Sequence, residues 1–182
     1  MSRLPILAIL LLVSCNYVES CKAIPPVKDI NPALRQRVEK EGWTYLPTTQ
    51  KIYQVFIEEI TQPEAKRRCQ EKGGQLATIH SKEENDLLYS LSKDASVTTA
   101  TYRAYIWIGL EKMNGKFQWL DGSPVDYTNW GPGEPNNYRG EESCTQFSQL
   151  TLSYGSMDPR GWNDHYCFEE IRGYACEKNV QP

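Results

Sequence analysis

The stretch from Lys51 to Ile60, KIYQVFIEEI, is rich in β-branched and aromatic residues and predicts a strand. The next residues, TQPEAKRRCQEKGG (61–74), carry helix punctuation at both ends: Thr61 with Glu64 three positions on reads as a capping box, and Gly73 and Gly74 as a stop. Ala65 and Cys69 share one face of that helix, so Cys69 is expected to point inward. A short strand, QLATIH, leads to a second helix, SKEENDLLYSLSK, with Ser81 and Glu84 as its box and Leu87, Leu88 and Leu91 as its apolar stripe.

Beyond Ser92 the pattern turns to strands and loops. AYIWIGL (104–110) and KFQWL (116–120) predict a hairpin across EKMNG. CTQFSQL (144–150) and RGYACEK (172–178) predict two further strands, while residues 121–143 and 151–167 show almost no regular period. Two helices, several antiparallel strands and long loops describe an α+β domain. Loops of this length in a compact domain are commonly functional or disordered, and cysteines at 144 and 167 bracketing the second one argue for order.

The N-terminus changes the picture of where the chain works. One arginine precedes an apolar run from Leu4 to Val13, which falls short of the about 20 residues that span a bilayer and reads as a secretory signal ending at Ser20 or Ala23. A buried helix or a lipoprotein signal at Cys15 are the weaker alternatives. Residues 21–42, bearing prolines and charges, read as a linker with a helical turn or two around 32–40; the domain runs from 43 to 179 with a tail at 180–182. A secreted, extracellular chain makes its six cysteines disulfide candidates; Cys15 leaves with the signal. Cys69, Cys144, Cys167 and Cys176 allow three pairings, and the absence of CxxC pairs disfavours zinc. Cys21, if retained, is unpaired and offers a disulfide-linked dimer. The net charge of −3, with no basic run, gives no surface for nucleic acid, and no other segment is a membrane span.

The loop WGPGEPNNYRGEESC (130–144) holds more oxygen than turn chemistry needs. Glu134, Asn136, Asn137, Glu141 and Glu142 lie before Cys144, and Asn163 and Asp164 lie before Cys167. Such oxygens are hard ligands, and calcium takes about 6–8 of them. Carboxylates gathered without a cation raise one another's pKa, and a divalent ion removes that penalty.

These features together resemble the C-type lectin family. The resemblance runs from Trp43 to Lys178 and is carried by GW (42–43), Cys69, LATIHSKEEN, WIGL (107–110), WLDGSPVDYTNW (119–130), EPN (134–136), WND (162–164) and the last cysteines. It implies a C-type lectin-like fold, the pairings Cys69–Cys176 and Cys144–Cys167, and a structural core role for Trp107 and Leu110. It further implies a calcium ion held by Glu134, Asn136, Glu142, Asn163 and Asp164, with Pro135 in a cis bond and Glu141 left in solvent. The counterparts of an auxiliary calcium site found in some relatives are Lys112, Asn137 and Ser143, which speaks against that second site.

In this family, sugar and metal share the site. Two vicinal equatorial hydroxyls would complete the calcium shell while Glu134 and Glu142 accept and Asn136 and Asn163 donate hydrogen bonds. By family resemblance, the order EPN implies mannose, N-acetylglucosamine, glucose or fucose. Tyr138 and His165 follow the two motifs and are candidates to touch the sugar. Glycans bearing mannose-type sugars are thus the expected partners. Two histidines, no HExxH and no nucleophile in a recognisable setting speak against an enzyme. The rival reading is a domain of the same fold that binds a protein, mineral or ice surface with calcium only structural.

Overall fold

The computed structural model describes residues 29–93, 104–148 and 161–181. Its elements in chain order are α1 (Pro32–Lys40), β1 (Thr44–Leu46), β2 (Lys51–Ile60), α2 (Gln62–Glu71), β3 (Gln75–Leu76), α3 (Lys82–Ser92), β4 (Tyr105–Met113), β5 (Lys116–Trp119), β6 (Cys144–Ser148), β7 (Trp162–His165) and β8 (Ile171–Asn179). The sheet runs β1-β2-β8-β4-β6-β7, with β3 attached to β8 and β5 to β4. Only the β4–β8 pair is parallel among these pairings. This is an α+β architecture.

Local chemistry explains most of these elements. Ser81 caps α3, its Oγ accepting from Glu84 N at 3.2 Å, while Glu84 reaches back to accept from Ser81 Oγ and His80 N at 2.8 and 2.9 Å. Thr61, by contrast, makes no side-chain cap on α2. Pro63 has no N–H to satisfy, the Cys167 carbonyl takes the Gln62 N–H at 3.0 Å, and the Glu64 carboxylate is drawn to Arg67 and Arg68 rather than back to Thr61 as the predicted box requires. The β4–β5 hairpin turns on Asn114 and Gly115, both at positive φ, the signature of a two-residue type I′ turn; β4 therefore extends to Met113. Gly109 is needed for a different reason. A Cβ there would lie 2.8 Å from the Leu76 carbonyl, where β4 closes on the β3 segment.

Trp107 and Leu110 on β4 are fully buried, as are Trp119, Trp162, Leu88 and Tyr174. On α3 the buried positions are Glu84, Asn85, Leu88 and Ser92, with Leu87 and Leu91 only partly covered. Residues 32–40, where the sequence reading placed a helical turn or two within the linker, form α1, which buries Val38 and lays Leu34 against the core that also holds Trp43 and Tyr45. Disulfides join Cys69 to Cys176 and Cys144 to Cys167, with Cα–Cα distances of 5.5 and 5.1 Å. The signal, Cys21 and residues 151–160 lie outside the described residues.

β7 has no counterpart in the sequence reading. WNDH shows no apolar alternation, yet it pairs antiparallel with β6 from Phe147–Trp162 to Cys144–His165. The Cys144–Cys167 link and the burial of Trp162 hold it there.

Candidate functional site

Two irregular segments meet beside β7. Trp162 anchors the meeting: its backbone N donates to Asn129 O at 2.7 Å, its carbonyl accepts from Gly131 N at 2.8 Å, and the rings of Trp119, Tyr127 and Trp130 surround its own at 5.7–5.8 Å. Its indole Nε1 donates to Asn85 Oδ1 on α3 at 2.8 Å. With Trp162 fixed, the next residues of β7 are presented to the loop that begins at Gly131.

That loop tightens at once. Glu134 N donates to Gly131 O at 3.0 Å, and the Glu134–Pro135 peptide is cis. Asn136 Nδ2 donates to Glu134 Oε1 at 2.9 Å, so amide and carboxylate lie side by side. The wholly buried Asp164 accepts from Asn136 N and Asn137 N, each at 2.9 Å, one bond to each oxygen. Its carboxylate thus gathers the backbone of the EPN segment onto β7. Asn137 and Arg139 adopt positive φ and project Tyr138 outward, 61 % exposed. Tyr138 N donates back to Glu142 Oε2 at 2.7 Å, and Glu142 Oε1 lies 3.6 Å from His165 Nδ1.

Glu134, Asn136 and Asp164 therefore form one cluster, and Glu142 with His165 a neighbouring pair. Asn163 alternates to the face of β7 opposite Asp164, in register with Gln146. Tyr138 stands on the outer rim with the Arg139 guanidinium 5.1 Å from its ring. His165 rests 6.0 Å from the Trp107 ring. The Lys112 ammonium lies 5.8 Å from the Phe117 ring, and the Lys112 backbone N donates to Ser143 O at 2.7 Å.

The electrostatics single out Glu134. Its carboxyl is held above the usual range, first by burial and then by Asp164, close enough to share a hydrogen bond, despite the lowering effect of Asn136. Among the described residues no three acidic, histidine or cysteine side chains come close enough to hold a metal by themselves. The donor set is mixed: two facing carboxylates, the Asn136 amide beside them, and Glu142 one turn away. Thr145 Oγ1, on the residue paired with Asp164, and Gln146 Oε1, on the residue paired with Asn163, are buried without a hydrogen-bond partner. Facing carboxylates with an amide oxygen at hand suit a hard cation such as calcium.

A family model described as the lectin C-type domain matches residues 58–178. The low affinity immunoglobulin epsilon Fc receptor of Mus musculus is 37 % identical over 118 residues, 63 % of this chain and 30 % of the receptor, so the chain spans under a third of that relative. The cow C-type carbohydrate-recognition domain of CD23, solved in the presence of a GlcNAc2Man3 oligosaccharide, superposes with a TM-score of 0.63 at 31 % identity, covering 78 % of this chain and 96 % of that one. A calcium-independent type II antifreeze protein superposes at 0.60 with 28 % identity, covering 77 % of this chain and 93 % of its own. Members of this family are not enzymes, and the two solved relatives above are a carbohydrate-recognition domain and an antifreeze protein.

Proposed function

The chain belongs to the C-type lectin family, and on that premise we propose that it is a secreted, calcium-dependent lectin for mannose-type sugars. Calcium, held by Glu134, Asn136, Glu142, Asn163 and Asp164, would supply the Lewis-acid centre on which two vicinal equatorial hydroxyls sit. The chain's own side chains set the polarity around it. Glu134 and Glu142 accept hydroxyl protons, and Asn136 and Asn163 offer amide N–H groups. Tyr138 and His165 flank the sugar on the two sides of the loop. The observation that carries this reading is the Glu134–Asn136 pair, acceptor and amide side by side against the buried Asp164.

Secretion is supported by the N-terminal apolar run and by the two disulfides. No helix among the described residues is long and apolar enough to cross a membrane. The likeness to a calcium-independent antifreeze protein favours one alternative, a protein, mineral or ice ligand with calcium at most structural. Retention on mannose-agarose, with calcium and then with excess chelator, separates the two. Retention lost on chelation and in Asn136→Asp supports the lectin; no retention, while calcium still raises the Tm, refutes sugar binding and leaves a structural ion.

A further inference from the structure

Away from the loop, His80, at the N-terminus of α3, meets the segment that follows β5. Its Nδ1 lies 2.7 Å from Asp126 Oδ1 and its Nε2 lies 3.1 Å from Ser123 Oγ. The arrangement has the outline of a serine, its base and an orienting carboxylate, but a fourth group changes its chemistry. Ser123 Oγ is 2.5 Å from Asp121 Oδ1, and Ser123 N donates to the same oxygen at 2.9 Å. A hydroxyl has one proton, and two bare oxygens at that distance would repel, so the proton goes to Asp121. Ser123 Oγ then turns a lone pair to His80, and Nε2 must donate. Nδ1 donates to Asp126, a carboxylate that can only accept. With both nitrogens donating, the ring is an imidazolium tied between two carboxylate-backed arms, and Ser123 is no nucleophile.

We infer that His80 is a positioning residue for the binding loop, its doubly donating ring clamping residues 121–126 so that residues 127–131 dock on Trp162 and present Glu134 to Asp164. The clamp itself rests on geometry alone, while its effect on calcium rests on the reading proposed above. The path is continuous. His80 packs 5.8 Å from Trp119, which meets Trp162 at 5.7 Å; past Asp126, Tyr127 and Trp130 press on the same Trp162 and Asn129 accepts from its backbone. α3 grips both ends, through His80 at its entry and Asn85 on the Trp162 indole. Every charged group around the ring fits a cation. Asp126 faces it directly, with its carboxyl drawn below the usual range chiefly by the His80 hydrogen bond. Asp121 stands behind Ser123, raised by burial but lowered overall by its bonds from Ser123 and Gln75 and by the charge of Lys51 on β2. Glu84 on α3 accepts from the His80 backbone N–H, and from β5 comes only the Trp119 ring.

The test uses the full mature chain, first without metal. Imidazole nitrogen NMR should show both His80 nitrogens protonated while the clamp is closed, and amide exchange at residues 127–131 should quicken about three- to tenfold in His80→Gln and in Ser123→Ala, with Asp126→Glu restoring protection that Asp126→Ala loses. Calcium titration then reads the effect on the loop: wild type should bind more tightly than His80→Gln by a similar factor. A neutral single tautomer, unchanged exchange in the variants, or equal calcium affinity in wild type and His80→Gln would overturn the clamp. If no chain binds calcium, the metal-free measurements still decide the clamp, and it is the calcium reading that fails.

Discussion

Asn85→Ala tests whether the tie between α3 and Trp162 is what holds β7 in place. Asn85 is 4 % exposed, Trp162 is fully buried, and the Nε1–Oδ1 bond is 2.8 Å. Truncation removes that bond and leaves an indole N–H in the core with nothing to receive it, a loss of about 1–3 kcal/mol. The space vacated by the amide adds roughly 1 kcal/mol. At roughly 2–4 °C per kcal/mol for a chain of this size, a total near 3 kcal/mol lowers the Tm by about 6–12 °C. The melt is followed by circular dichroism with disulfides intact and metal chelated, so that ligand binding does not mask the change. Trp162→Phe, which deletes the donor, provides the second edge of a cycle. In that background Asn85→Ala should cost about 1 kcal/mol less, because no donor is stranded. A Tm drop below about 2 °C, or strictly additive costs, would refute the reasoning.

Metal-free stability should depend on Glu134. Its folded pKa is raised, so the folded state holds the proton more tightly than the unfolded chain, and stability falls as pH rises from the ordinary glutamate range through the raised value. Glu134→Gln should flatten that part of the pH–stability curve, leave the metal-free protein more stable than wild type near neutral pH, and abolish stabilisation by calcium; urea titrations across pH check this. Replacing Cys144 and Cys167 together by serine opens a loop spanned by a sequence separation of 23, worth about 3 kcal/mol, read from urea midpoints. Gly109→Ala brings a methyl to 2.8 Å from the Leu76 carbonyl and should lose about 1–3 kcal/mol in the same assay. Tyr138→Ala, at an exposed rim position, should leave the Tm within about 1 °C while weakening sugar binding in calorimetry.

The elements legible in the chain are those whose signal is local. The Ser81–Glu84 box and the Asn114–Gly115 turn each state their conformation within a few residues. α2 is legible as a helix, but its Thr61 cap is not made, and the first N–H of the helix is taken by a carbonyl from residue 167, far along the chain. β7 was hidden for the same kind of reason: four residues without alternation become a strand only when β6 lies alongside. In the loop from Gly131 to Glu142, the EPN and WND motifs are legible in the chain, but not that Asp164 spends both oxygens on the backbone of Asn136 and Asn137. His80 and its partners gave no sequence signal. They lie 43 and 46 residues apart along the chain, and only the docking of the post-β5 segment on α3 makes them neighbours.

The order of strands has a consequence for how copies of this domain can be gathered. α1 packs against β1, at one edge of the sheet, and Arg37 donates to the Gln181 carbonyl at 2.5 Å, so both ends of the described chain leave from that edge. The binding loop leans on β7, at the other. Anything that tethers the domain through either end grips the rim farthest from the sugar site proposed above. Clustering on such a tether would leave every site facing outward, and shallow contacts made one at a time could then add across a glycan-coated surface.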